Sequence, residues 1–158
     1  MNFTQRLCYL WKLSGERKLW AIYFFLSLFI IWLSLRFVSM PRLAKRMGDH
    51  LQNRTVSTLA DVSQVNKSLE MGKLISMVAK YTPWSSSCLA QALSIKVLLN
   101  YYKIPSILYL GAYLHSTQEQ LEKTMKAHAW VDVKNHTVIG APQHLKYSVI
   151  GSFATLNH

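Results

Sequence analysis

The sequence predicts an α+β protein, with helices first and a small antiparallel sheet after them. Three observations carry this. Residues 19–35 form an apolar run without a single charge, which reads as a long helix. Two further stretches, 65–80 and 88–102, repeat apolar residues at helical spacing. Beyond Pro105 the pattern changes to short apolar runs, 107–114, 127–133 and 137–139, separated by polar stretches. Helical patterns followed by strand patterns are the order of an α+β domain.

The apolar run LWAIYFFLSLFIIWLSL is at the lower length limit for crossing a bilayer. Ser27 and Ser34 lie seven residues apart on one helix face with Tyr23 near them, a faint polar stripe that suits a helix packed in protein equally well. A secretory signal fits poorly, because Arg36 follows directly and no small-residue cleavage site is seen. Both a membrane helix and a buried core helix stay open. Basic residues stand on both sides, Arg6, Lys12, Arg17 and Lys18 before the run and Arg36, Arg42, Lys45 and Arg46 after it, so charge asymmetry assigns no orientation.

Pro41 ends this helix. Residues 47–63 are polar and aperiodic and read as a connector. Val65, Leu69, Leu74 and Val78 mark the second helix; Gly72 inside it costs about 1 kcal/mol, and Pro83 stops it. Ser85, Ser86 and Ser87 are all competent N-caps for a third helix whose face carries Leu89, Ala92, Leu93 and Val97 and which ends near Tyr102. The strand at 107–114 is near-continuously apolar, as strands buried on both faces are. Residues 115–126 read as a loop or short helix. AHAWVDV is the next strand, Lys134, Asn135 and His136 the turn, and 137–139 the return. The organisation is an N-terminal segment over 1–46 with its apolar helix at 19–38, a connector over 47–63, and one domain over 64–158.

A chain of 158 residues supports one core. The formal charge of +11 admits nucleic acid, an anionic membrane or an acidic partner. No zinc-finger pattern, Gly-rich phosphate loop or helix-turn-helix accompanies it, and the basic residues cluster around the apolar run, so nucleic acid is not the expected partner. Two cysteines, Cys8 and Cys88, make no disulfide framework and point to a reducing compartment, the cytoplasm, with attachment to the inner membrane through residues 19–38 if that helix enters lipid. His50, His115, His136, His144 and His158 show no metal-ligand spacing, and neither metal nor cofactor is expected.

Cys88 falls in the first turn of the third helix. The unpaired amides and the positive end of the dipole there favour thiolate over thiol, and the amides can also bind an oxyanion. A small buried hydrophobe is the plainer role for a lone cysteine. His128 opens a strand forty residues later and can serve as the base that takes the thiol proton. Alternation puts His128, Trp130 and Asp132 on one strand face. Asp132 is the carboxylate on that face, roughly 6.5–7 Å along the strand from His128. It is a candidate third catalytic residue, against the plainer role of a solvent-facing strand-end carboxylate. Gln143, on the returning side of the turn, is the other candidate to orient the imidazole.

A helix with an N-terminal cysteine followed by a strand with histidine is the order of papain-like and transglutaminase-like cysteine protease cores, in which the Cys helix packs on a small antiparallel sheet carrying the His. Here that core is preceded by the apolar N-terminal helix. PWSSSCLAQAL, KIPSILYLGA and AHAWVDVKNHTVIG together resemble the leader-peptide cysteine proteases of lasso peptide biosynthesis, members of the transglutaminase-like superfamily, over roughly residues 65–150. The resemblance implies a peptidase that removes the leader from a ribosomally made precursor peptide, with Cys88 as nucleophile and His128 as base. It also implies a separate leader-binding protein and an asparagine-synthetase-like cyclase as partners. The family places an acidic residue about twelve positions after the histidine; here Gly140 stands there, between Ile139 and Ala141. The alternatives to the peptidase are a catalytically impaired binding or scaffold protein on the same fold, attached to a membrane, and another thiol chemistry such as amide transfer.

Overall fold

The computed structural model describes residues 14–37, 49–50, 60–115, 124–140 and 147–155. Cys8, Pro41, Gln143, His144 and His158 lie outside the described residues. The elements in chain order are α1 (Gly15–Phe37), β1 (Asp49–His50), α2 (Val62–Ala79), α3 (Cys88–Tyr101), β2 (Ser106–His115), β3 (Thr124–Val133), β4 (His136–Ile139) and β5 (Ser148–Thr155). The strands form one sheet in the order β1-β5-β2-β3-β4, antiparallel at every described pairing.

Each helix has a local cause. Asp61 caps α2 with a reciprocal box: its side chain accepts from the amide of Gln64, and Gln64 Oε1 accepts from the amide of Asp61. The helix therefore starts three residues before the apolar periodicity does. Ser87 caps α3, its Oγ accepting from the amide of Ala90 at 3.2 Å. α3 ends at Tyr101, followed by Lys103 in the left-handed region (φ 53°), close to where the apolar spacing ends it.

β3 and β4 are joined by Lys134 and Asn135, both at positive φ (44° and 63°), the conformation of a two-residue hairpin turn with the twist of the flanking strands. β5 and β1 were not expected from the sequence: Asp49 and His50, inside the polar connector, pair with Ala154 and Phe153. β3 also begins earlier than the apolar run, at Thr124.

The helices lie on one face of the sheet. α1 packs on α2 and α3, and α3 packs on β2 and β3. Phe24 and Leu28 of α1, Met71 and Ile75 of α2, Ile95 and Leu99 of α3, Leu108 of β2 and Val131 of β3 are fully buried together. Side chains of that kind are worth about 1.5–3 kcal/mol each when removed from water. α1 is thus part of the core along one side, which answers half of the question its composition left open. α3 is also fastened at its third turn: Lys96, 2% exposed, donates from Nζ to Ser106 O at 2.5 Å and lies 3.0 Å from Ser106 Oγ. Burial pulls this ammonium down from 10.5 to about 7.

Candidate active site

Cys88 is the first residue of α3 and its side chain packs partly buried at the rim of the helix-side core. The loop before it is held by hydroxyls. Thr82 Oγ1 lies 3.0 Å from both Ala79 O and Trp84 O and 2.8 Å from Ser86 Oγ, and Gln91 Nε2 donates back to Ser86 O at 3.1 Å. Trp84, four residues before the cysteine, carries the loop onto α1: its ring sits 5.3, 5.1 and 6.2 Å from the rings of Phe25, Phe29 and Trp32. Ser87 occupies the amide of Ala90, so Cys88 and Leu89 hold the remaining donors of the first turn.

His128 is placed by the sheet. In β3, Ala129, Val131 and Val133 take the helix-covered face and are at most 2% exposed; His128, Trp130 and Asp132 take the other. His128 pairs across with Gly111 of β2. β4 pairs with β3 only as far as Val131, so among the described residues His128 lies beyond the paired part of that edge. The chain leaving β4 turns at Gly140, and His128 Nε2 makes a 2.8 Å hydrogen bond to Gly140 O. A carbonyl can only accept, so Nε2 carries the proton and Nδ1 of the neutral ring is the free base. The imidazole is flanked by Trp130 (6.1 Å between centroids, 23° between planes) and Tyr147 (5.1 Å, 32°).

Two glycines make this arrangement fit. Gly140 is at φ 95°, and a Cβ there would lie 2.5 Å from Trp130 Cβ and 2.8 Å from Ala129 O. Gly111 leaves room for the indole: a Cβ would lie 2.7 Å from the Trp130 ring and 2.8 Å from Tyr147 Cβ.

The position that the resemblance reserves for an acid therefore supplies a backbone carbonyl to the same ring. Asp132, the carboxylate expected on that face, lies beyond Trp130; it is half-buried with Oδ1 wholly buried, not the solvent-facing strand-end carboxylate of its plainer role, and its charge reaches Tyr109. Burial first, and the Asp132 charge second, push the Tyr109 phenol up. In the sequence Gly140 stands where the resemblance implies an acid, and its oxygen gives no signal there, because every residue possesses one. The structure brings His128 to Gly140, Trp130 and Tyr147. It brings α3 onto β3, but among the described residues no hydrogen bond joins Cys88 to His128.

No curated protein and no solved structure matches the chain. A family model does, over residues 31–152, starting inside α1 and running through β1, the Cys88 helix, the His128 strand and most of β5. With that match over most of its length, and with the three helices and antiparallel sheet described above, the chain belongs to the transglutaminase-like superfamily.

Proposed function

We propose that the protein is a cysteine-type peptidase in which Cys88 is the nucleophile and His128 the general base, acting on one peptide bond of a ribosomally made precursor to release its leader during lasso peptide maturation. The superfamily includes cysteine peptidases, and one observation carries the reading within it: the Nε2–H of His128 is committed to Gly140 O, which leaves Nδ1 as the proton acceptor.

α3, which carries Cys88, packs on β3, the strand that carries His128, and the reaction requires the two side chains to meet at the margin of the sheet. In the reaction the Cys88 proton passes to His128 Nδ1 as Sγ bonds to the scissile carbonyl carbon, and the first-turn amides of Cys88 and Leu89 hold the oxyanion. The C–N bond breaks as Nδ1 returns the proton to the leaving amine. Water then attacks the thioester, releasing the carboxylate and restoring the thiol. The leader is held by a separate binding protein, and an asparagine-synthetase-like cyclase takes the product.

The test follows the mass of a candidate precursor, mixed with its leader-binding protein and the purified chain. Cleavage at one bond that disappears in Cys88→Ala and in His128→Ala is expected. Cleavage unchanged in both variants would remove these residues from the mechanism, and gain of an added amine instead of water would make the enzyme a transferase. A second reading has its own observation. The group on Nε2 is a neutral carbonyl where the family has a carboxylate, so the imidazolium is less stabilised and the fold suits a slow enzyme or a precursor-binding scaffold. Stable precursor binding without any mass change would select the scaffold.

A further inference from the structure

We propose that α1 is a membrane-docking helix that lies in the plane of an anionic bilayer surface, its inner side held on the domain and its outer side in the boundary between headgroups and acyl chains. The inner side is a continuous row: Trp20, Phe24 and Leu28 are 4%, 0% and 0% exposed, and Ile31 and Leu35 continue it against the core. The outer side is just as apolar. Leu19, Ile22, Leu26, Ile30, Leu33 and Phe37 follow one another at helical spacing and are 43–79% exposed. That stripe runs roughly 27 Å along the helix, far more than scattered exposed side chains produce.

Three observations choose the occupant. Residues 1–48 hold eight Lys and Arg against one acidic residue, Glu16, so a net +7 of the chain's +11 falls in the stretch of sequence that contains this helix. Arg17, Lys18 and Arg36 at its two ends are exposed, and the Arg36 guanidinium lies over the Trp32 ring. Basic ends around an apolar, tryptophan-bearing face complement anionic headgroups above hydrocarbon. The polar side chains of the run are satisfied internally: Ser27 Oγ donates to Phe24 O, Ser34 Oγ to Ile30 O, and Tyr23 Oη to Ser94 O. A protein partner would find little to pair with there, whereas a low-dielectric boundary requires that condition.

The same packing opposes a spanning helix. α1 is tied to α2 and α3 by Arg17–Glu70 and Lys67–Glu16 ion pairs at 2.8 Å, by Trp20 Nε1 donating to Tyr102 Oη at 2.9 Å, and by Lys67 over the Trp20 and Tyr102 rings. Spanning would break these or carry them into hydrocarbon. Docking in the plane keeps them all. Through Trp84 it also carries the loop before Cys88 to the membrane surface.

The experiment is flotation of the full chain with vesicles of phosphatidylcholine alone or mixed with phosphatidylglycerol. It reads lipid binding and not cleavage, so it stands apart from the peptidase reading. The protein is expected to float with the anionic vesicles, at least tenfold less with phosphatidylcholine alone or in 1 M salt, and to be stripped by alkaline carbonate. The double variant Ile22→Glu/Ile30→Glu, at side chains more than half exposed, is expected to lose binding at least tenfold with an unchanged thermal melt, and Lys18→Gln/Arg36→Gln to lose several-fold. Retention after carbonate would show a spanning helix and overturn the proposal. So would vesicle binding indifferent to the glutamates, or salt-independent self-association in sedimentation velocity that the glutamates abolish, which would assign the face to a second copy.

Discussion

The two halves of the proposed dyad are held by different kinds of force. The Cys88 loop is held by side chains: Thr82, Ser86, Ser87 and Gln91 hydrogen-bond within ten residues of chain, and Trp84 presses on three rings of α1. His128 is held by backbone and shape: a carbonyl on Nε2, two glycines that permit close approach, and two flanking rings. The difference teaches which perturbations each half feels. The cysteine end divides its support among many weak contacts and should lose function gradually. The histidine end depends on one backbone torsion and should fail abruptly.

The sharpest way to break the comparison is therefore Gly140→Ala. The new methyl meets Trp130 Cβ at 2.5 Å in a backbone conformation (φ 95°) that L residues rarely adopt, so the turn must rotate and take the carbonyl with it. If the Gly140 oxygen selects the reactive tautomer, cleavage should fall by about 10²–10⁴-fold, while alkylation of Cys88 in the unfolding-resistant protein still goes to completion. Nitrogen-15 spectra of the imidazole provide the readout that a merely structural role would not move: Nε2–H in the native chain, mixed tautomers in the variant. Asp132→Asn is the paired control. It should leave the Nε2–H signal in place and change cleavage far less than Gly140→Ala does, since the described partner of Nε2 is the Gly140 carbonyl. A tautomer change in Asp132→Asn would return the orienting role to the carboxylate.

The same division explains what could be read before the structure. Local chemistry is legible: the cap of α3 falls on Ser87, one of the three candidate serines, and the turn falls at Lys134 and Asn135, within the expected 134–136. So is the alternation that separates His128 from Ala129. The capping box of Asp61 and Gln64 is equally legible as a D-x-x-Q pattern, which starts the helix three residues ahead of the apolar spacing. β5 was hidden by a bulge. Leu110 pairs with Gly151 and Gly111 with Val149, so Ile150 is an extra residue that breaks the period of two on which strand recognition rests. β1 exists only through its partner at the far end of the chain. α1 was ambiguous because both of its sides are apolar, and only tertiary packing tells which is covered. The Gly140 carbonyl was beyond reach in principle, since a backbone oxygen has no letter in the sequence.

A second, smaller effect lies on α3 itself, two turns beyond the cysteine. Lys96 is buried with no carboxylate hydrogen-bonded to it, held by Ser106 alone among the described residues. Its pKa, about 7 in the folded chain, is below the ordinary 10.5. Between those values the unfolded chain binds more protons than the folded one, so stability rises with pH through that window and is lowest, and flat with respect to this group, below it. From pH 7 to 9 the gain from this residue is about 2 kcal/mol. Chemical denaturation at the two pH values should show it in the native chain and not in Lys96→Met. The methionine variant should in addition be the more stable of the two at pH 7, where the native ammonium is still half charged. An equal slope in both proteins would move the titration to another group.

The smallest expected change sharpens the comparison most finely. Ser87→Ala deletes one cap from α3, and a lost N-cap costs about 1 kcal/mol. The neighbouring Thr82, Ser86 and Gln91 contacts and the Trp84 rings remain, so the first turn frays without the loop detaching. Denaturation should register that loss, and iodoacetamide should reach Cys88 faster because its turn opens more often. The His128 tautomer should not change at all, since nothing on that side of the sheet depends on the cap. If the nitrogen-15 spectrum of His128 did shift in Ser87→Ala, the two halves would be one mechanical unit, and the independence argued from their separate supports would be wrong.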